Sequence, residues 1–199
     1  MDEAFSISEI GAEIFARIEG KSYKKNCPIA LSDLRYLRVL HKDLSGKTLT
    51  GELICNVRIA EALTDIFRKL YAESYPIEKI RLIDAYDADD ELSMRDNNSS
   101  CFNFRYVSFT NRISLHGYGL AVDINPLYNP YIKVVDGQKV IAPDNSADYE
   151  DRTKNFRYKI EADDLCCRLF KAHGFLWGGD CWDDEKDYQH FFIEEGVSR

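Results

Sequence analysis

With 199 residues, 45% of them hydrophobic, the chain is long enough to bury a full core, and its length is that of one domain. A net charge of −8, with no basic block to rival the acidic ones, argues against a nucleic-acid partner, which needs Lys and Arg gathered on one face. No run approaches the roughly 18 apolar residues of a transmembrane helix, and six cysteines without a Cys-x-x-Cys pair do not make a disulfide scaffold.

Taken in order, Ile7, Ile10, Ile14, Phe15 and Ile18 recur at helical spacing, with serines before them and Gly20 after them, and predict a first helix. Leu34, Leu37 and Leu40 after Ser32 predict a second, followed by an extended Thr48-Leu49-Thr50. Asn56 is the expected N-cap of a third, with Val57, Ala60, Leu63, Phe67 and Leu70 on its buried face. Residues 1–75 therefore read as a mainly helical N-terminal part. Lys79 to Tyr86 alternates as a strand does. The acids of Asp87-Ala88-Asp89-Asp90-Glu91 lack the glycine and spacing of an EF-hand loop, so a solvated acidic loop is expected, continued by the turn formers Asp96 to Ser100 beside a cleft.

Further on, two Asn-Pro steps between Asn125 and Tyr131 fix an irregular connection. Ile132–Val135 and Lys139–Ala142 flank Asp136-Gly137, a hairpin signal, and the polar residues 143–158 are expected to form a flap. Ile160 to His173 predicts a helix with Leu165, Leu169 and Phe170 on one side and Gly174 as its stop. His173, and His41 after the second predicted helix, are expected to cap helix ends, where the dipole favours them. Cys166 and Cys167 are expected as free thiols. A strand over Tyr188–Ile193 completes an α+β class, a small and mainly antiparallel sheet packed against helices. One domain over 1–199 is predicted, with the site-bearing part at 79–193.

Two stretches carry chemistry. In Ser114-Leu115-His116-Gly117-Tyr118-Gly119-Leu120-Ala121-Val122-Asp123, a histidine and an acid stand seven apart around a glycine-loosened turn and an apolar strand. In Trp177-Gly178-Gly179 through Asp187-Tyr188-Gln189-His190-Phe191, an acid and a histidine stand three apart. His116, Asp123 and His190 supply the three protein ligands of a catalytic zinc that keeps one position open for water. Asp187 is then left free to move a proton. Cys181, near them in sequence, is the one thiol placed to act as a reserve ligand. Alone, either pair is more often a satisfied turn histidine and a buried acid; the two together with the glycines make the zinc reading.

The pattern Ser114-x-His116-x-x-Gly119-x-Ala121-x-Asp123, followed by Trp177-Gly178-Gly179 and Asp187-x-x-His190-Phe191, resembles the zinc D-Ala-D-Ala carboxypeptidase and L-alanyl-D-glutamate peptidase family of cell-wall enzymes. That family includes endolysins and the D,D-dipeptidases of vancomycin resistance. The resemblance implies a hedgehog/D,D-peptidase-like fold with Zn2+ on the sheet, held by His116, Asp123 and His190, and Asp187 as general base. An acid of this length resembles the endolysin-like branch more than the dipeptidases. Relatives often carry a Gly-Tyr-Arg-like segment where this chain has Ala85-Tyr86-Asp87, so the substrate-binding arginine must come from elsewhere. Arg105, among aromatic residues on an expected strand, is preferred over Arg95 and Arg112. Ser114 is expected to bind substrate or orient His116.

The function expected is zinc-dependent hydrolysis of peptide bonds next to D-amino acids in peptidoglycan stem peptides. The alternatives are a non-catalytic zinc-binding recognition module of the cell envelope and a D-Ala-D-Ala dipeptidase. Peptidoglycan or a D-amino-acid-containing peptide is the expected partner, and a monomer the expected state. Met1-Asp2-Glu3-Ala4-Phe5 has no basic start or apolar signal core. The cell envelope, periplasm or exterior is expected if a signal has been removed, and the cytoplasm otherwise.

Overall fold

The computed structural model describes residues 4–107, 110–181 and 185–194. Its first sheet has the order β1-β2-β3, from strands Ser6–Ser8 (β1), Leu34–Lys42 (β2) and Thr48–Asn56 (β3), and a short helix Ala12–Ile18 (α1) lies between the first two. Residues 34–42, expected as a helix, are thus a strand paired along its whole length from Leu34↔Asn56 to Lys42↔Thr48. The reason lies in burial on both faces. Leu37 and Val39 join Leu53 and Cys55 in the main core, while Leu34 joins Ile54 in a second cluster on the other face. Apolar residues at 34 and 37 therefore mimic a helical step although they point opposite ways, as strand residues an odd number apart must. With this hairpin, the N-terminal part is mixed and not mainly helical. His41 is a buried strand residue whose Nδ1 lies 2.7 Å from the Ile77 carbonyl, not a helix cap.

Helix Val57–Ala72 (α2) follows directly, and Asn56 caps it by accepting from the Arg58 amide at 3.1 Å. Ile59, Ala60, Leu63, Ile66, Phe67 and Leu70 are buried along one side, each large side chain contributing roughly 1.5–3 kcal/mol. Val57 of the predicted face remains 41% exposed. The stretch after α2 gives only a two-residue strand, Lys79–Ile80 (β4), before a 3-10 turn at Ile83–Tyr86. The acidic run is not a solvated loop throughout: Asp89 caps a helix Asp90–Arg95 (α3), and Asn98–Ser99 (β5) pairs in parallel with β4.

The remaining strands build two small antiparallel sheets. One joins Ala121–Asp123 (β6), His190–Phe192 (β11) and Leu176–Trp177 (β9) in the order β6-β11-β9. The other joins the hairpin Tyr131–Val135 (β7) and Gln138–Ala142 (β8) to Glu185–Asp187 (β10). Asp136 and Gly137 both take positive φ at the hairpin turn, as the sequence predicts. Helix Leu165–Ala172 (α4) starts at Asp164 and ends at His173, which serves as its C-cap and also reaches Asp65 at 2.8 Å. A single turn, Gly178–Cys181 (α5), follows β9. The expected flap is tied down by Arg152, which donates to Tyr128 O, Asn129 Oδ1 and Ile160 O and lies 4.3 Å over the Tyr188 ring.

The main core draws on both halves of the chain, from Leu37 and Phe67 to Phe170, Trp177 and Phe191. The class is α+β, with small antiparallel sheets and, among the described residues, five α-helices. The one small sheet expected is divided into three of three strands and a parallel pair. All six cysteines are free thiols. No helix among the described residues is long and apolar enough to cross a membrane.

Candidate functional site

His116 sits in a 3-10 turn, Leu115–Tyr118, whose N-cap is Ser114. The Ser114 hydroxyl accepts from the His116 amide at 3.3 Å, so this side chain orients the backbone of His116 and not its ring. The turn is closed by Gly119 at φ +67°, where a Cβ would stand 2.7 Å from the Asn56 nitrogen. Glycine is needed twice over there, for the left-handed backbone and for the close approach. Asn56 uses that approach: its amide donates to Gly119 O at 2.8 Å and its side chain to Tyr118 O at 3.1 Å. The cap of α2 thus grips the histidine turn. Gly117 serves contact alone, since a Cβ would meet Ile113 at 2.6 Å.

The imidazole is set from a different direction. His116 Nδ1 lies 2.7 Å from the Cys101 carbonyl, which only accepts, so Nδ1 carries the hydrogen and Nε2 is left with its lone pair. That lone pair faces Asp123 Oδ2 at 3.2 Å and His190 Nδ1 at 3.2 Å. Asp123 and His190 are a directly opposed pair of β6 and β11, which brings His190 Nδ1 to 2.9 Å from Asp123 Oδ1. Asp123 also exchanges both backbone bonds with Ser100, at 2.9 and 3.2 Å, which holds the Cys101 carbonyl beside the site.

Two residues of one turn and strand and a third 67 positions further on therefore present one donor atom each to one place, and they form the only such group of His, Cys, Asp and Glu among the described residues. Burial works against the charged carboxylate of Asp123, but the two imidazoles outweigh it and hold its pKa well below the usual range. At His116 burial disfavours the imidazolium, and the Asp123 carboxylate outweighs burial and raises its pKa. The charge the site calls for between these atoms is positive. The contacts of 2.9–3.2 Å, in which Asp123 meets His190 through Oδ1 and His116 through Oδ2, are comparable to the roughly 3.3 Å ligand spacing that a tetrahedral zinc with bonds near 2.0–2.1 Å sets. One donor atom from each residue lies within 4.8 Å of the others, so the donors fit such an ion in chemistry and approximate size.

Asp187 ends β10, opposite Tyr131, and the chain then turns and changes partner before His190 begins its pairing with Asp123. Its Oδ1 is buried without a partner among the described residues. Burial pushes its carboxyl up to about 7, which His190 and Arg105 oppose and Asp123 reinforces. Arg105 lies not on a strand but in an irregular run, with its backbone carbonyl bound by the Ser114 amide at 3.0 Å. Its guanidinium pairs with Asp90, and its charge is felt at both His116 and Asp187. The rival Arg95 is engaged by Asp144. Cys181 is exposed and outside the donor group, and Trp182-Asp183-Asp184 of the second motif lie outside the described residues.

Two contributors escape the sequence reading. Cys101 acts through its carbonyl, and no side-chain pattern marks a carbonyl. Asp90 sits within an acidic run whose charge density conceals the one member that pairs with Arg105.

A donor triangle of two histidines and one aspartate, with a further acid beside it, defines a candidate hydrolase centre. Residues 108–193, which include every residue of both motifs from Ser114 to Phe191, match the family model described as D-alanyl-D-alanine carboxypeptidase. The site-bearing segment is thus similar to that peptidase family, as its motifs are. No curated protein and no solved structure matches the chain.

Proposed function

We propose that this protein is a zinc-dependent peptidase that cleaves a peptide bond next to a D-amino acid in peptidoglycan stem peptides, in the manner of a D-alanyl-D-alanine carboxypeptidase, on a hedgehog/D,D-peptidase-like fold. The observation that carries the reading is the convergence of His116, Asp123 and His190 within 2.9–3.2 Å, inside the segment matched to the peptidase family. Zinc held by these three residues supplies a Lewis acid that brings the pKa of water towards about 7 and polarises a carbonyl.

The chain's own groups do the rest. Asp187, with a carboxyl poised near neutrality, takes a proton from the attacking water and returns it to the leaving amine. Arg105 binds the substrate's carboxylate through the planar donors of its guanidinium. The Cys101 carbonyl keeps His116 in the tautomer that leaves Nε2 unprotonated, while Ser114 holds the backbone of its turn.

The test is metal content by elemental analysis of the wild type and of His116→Ala, beside a digest of purified peptidoglycan read by mass spectrometry. One zinc per chain, lost in the variant, with new termini at a D-amino acid, is the expected result. Zinc without cleavage points instead to a recognition module, cleavage confined to the free dipeptide points to a D-Ala-D-Ala dipeptidase, and no zinc overturns the proposal.

A further inference from the structure

The matched segment begins at residue 108, so Arg105 and everything before it lie outside the match. Yet the side chain that engages Arg105 comes from the acidic run near residue 90. Asp90 is the first residue of α3, a helix fixed by the Asp89 cap on the Leu92 amide at 2.9 Å. One oxygen of Asp90 accepts from Asn103 Nδ2 at 3.1 Å, and the other pairs with Arg105 Nη2. Asn103 is 2% exposed and donates its backbone amide to the His116 carbonyl at 3.0 Å. The Arg105 carbonyl in turn accepts from the Ser114 amide at 3.0 Å.

These contacts close a ring: His116 backbone, Asn103, Asp90, the Arg105 head, the Arg105 backbone, Ser114, and His116 again. An arginine stem alone carries about 2 kcal/mol of rotamer freedom, which would have to be lost on each binding event. Here both ends of the residue are tied to the turn that carries the candidate ligand His116. Arg105 Nε is buried without a partner among the described residues, so burial has no hydrogen bond at Nε to hold it, and the Asp90 contact is what fixes the head.

We infer that Asp90 is a positioning residue for the proposed reaction: with Asn103 it holds the Arg105 guanidinium at the edge of the His116–Asp123–His190 cluster, preset for a substrate's terminal carboxylate. This rests on the substrate-binding role proposed above for Arg105. It also gives the acidic run a function that its charge alone does not suggest. Asp90 is about a third exposed, so its replacement leaves the core intact.

Two measurements test it. The first needs no turnover: the Nε–Hε signal of Arg105 in a nitrogen-15 correlation spectrum, assigned by its loss in Arg105→Lys. It is expected to be dispersed and ordered in the wild type, and to collapse to the free-arginine position in both Asp90→Asn and Asp90→Ala. A signal unchanged in both variants overturns the inference. The second compares a peptide ending in a free D-alanine with its C-terminal amide, using zinc-loaded protein. Loss of the clamp is expected to raise KM for the free acid about tenfold while kcat falls less than about twofold, and to leave the amide's kinetics unmoved. A KM that is unchanged, or that falls because Asp90 was occupying Arg105, overturns it. Should the wild type cleave neither peptide, the proposed function fails, and the spectrum still decides the role of Asp90.

Discussion

Strands β2 and β3 pair nine residues against nine, and their apolar side chains fill clusters on both faces, whereas β6 and β11 pair only three residues and place an aspartate beside a histidine. The first sheet pairs β2 with β3 over their whole length and carries one buried histidine bonded to a carbonyl. Around the second, Asn103 Oδ1, Arg105 Nε, Asp187 Oδ1 and Gln189 Oε1 are buried without partners, and these are all such side-chain atoms among the described residues. Each unmet group of this kind costs about 1–3 kcal/mol. A polar centre with so little sheet of its own depends on neighbours for its position. Those neighbours are the long hairpin and α2, joined to the His116 turn through Asn56, and the stack of Phe191 on Phe170 at 4.2 Å behind the strand.

The sharpest break in that comparison is at Asp187. Asp187→Asn is expected to lower kcat by roughly 10²–10⁴-fold, the usual range for a general acid-base group, with zinc content unchanged by elemental analysis. The same residue gives the metal-free protein a pH signature. Its carboxyl titrates near 3.8 when unfolded and at about 7 when folded, so between those values the folded state binds more protons. Stability from this group is full below about pH 4, is lost as pH rises through about 7, and is flat above. Thermal midpoints of chelator-treated wild type minus those of chelator-treated Asp187→Asn should show that fall, and a difference independent of pH rules out the raised carboxyl.

How much of this was legible depended on whether the signal was local. The α2 cap at Asn56, the Asp136-Gly137 turn and the stop at Gly174 could all be read, because each depends on a few adjacent residues and their backbone preferences. The candidate ligands could be read because the chemistry demands particular residue types at fixed spacing around glycines. The β2 strand could not: with cores on both faces its apolar residues lose the alternation that marks a strand, and only the partner β3 reveals the pairing. The corner between Asp187 and His190, where the chain leaves one sheet for another, is likewise decided by long-range pairing. Asp90 and the Cys101 carbonyl are cases of the same kind, since their partners lie 15 residues away in sequence.

Smaller effects separate the two regions further. Phe191→Ala removes the stacked ring behind β11 and is expected to cost about 3–5 kcal/mol in urea unfolding and to weaken zinc retention, because His190 precedes it on the same strand. Leu63→Ala, in α2, should cost about 2–5 kcal/mol and leave zinc affinity unmoved; equal effects on zinc would contradict the division. Gly119→Ala forces a side chain into a left-handed backbone against Asn56, with an expected loss of roughly 1–3 kcal/mol and a fall in activity larger than that of any α2 surface change.

The mildest change probes the joint itself. Asn56→Asp keeps the oxygen that caps α2 but loses the amide donor to Tyr118 O, while Asn56→Ala loses both. Loss of a cap costs about 1 kcal/mol, so Asn56→Ala should destabilise by about that amount or slightly more, and Asn56→Asp by less. Yet both should weaken zinc affinity to a similar degree if the side chain's grip on the 3-10 turn is what holds His116 over Asp123. A zinc affinity that tracks stability across the pair, falling in Asn56→Ala and untouched in Asn56→Asp, would mean that the helix cap alone matters and that the turn is held by the Asn56 backbone bond to Gly119.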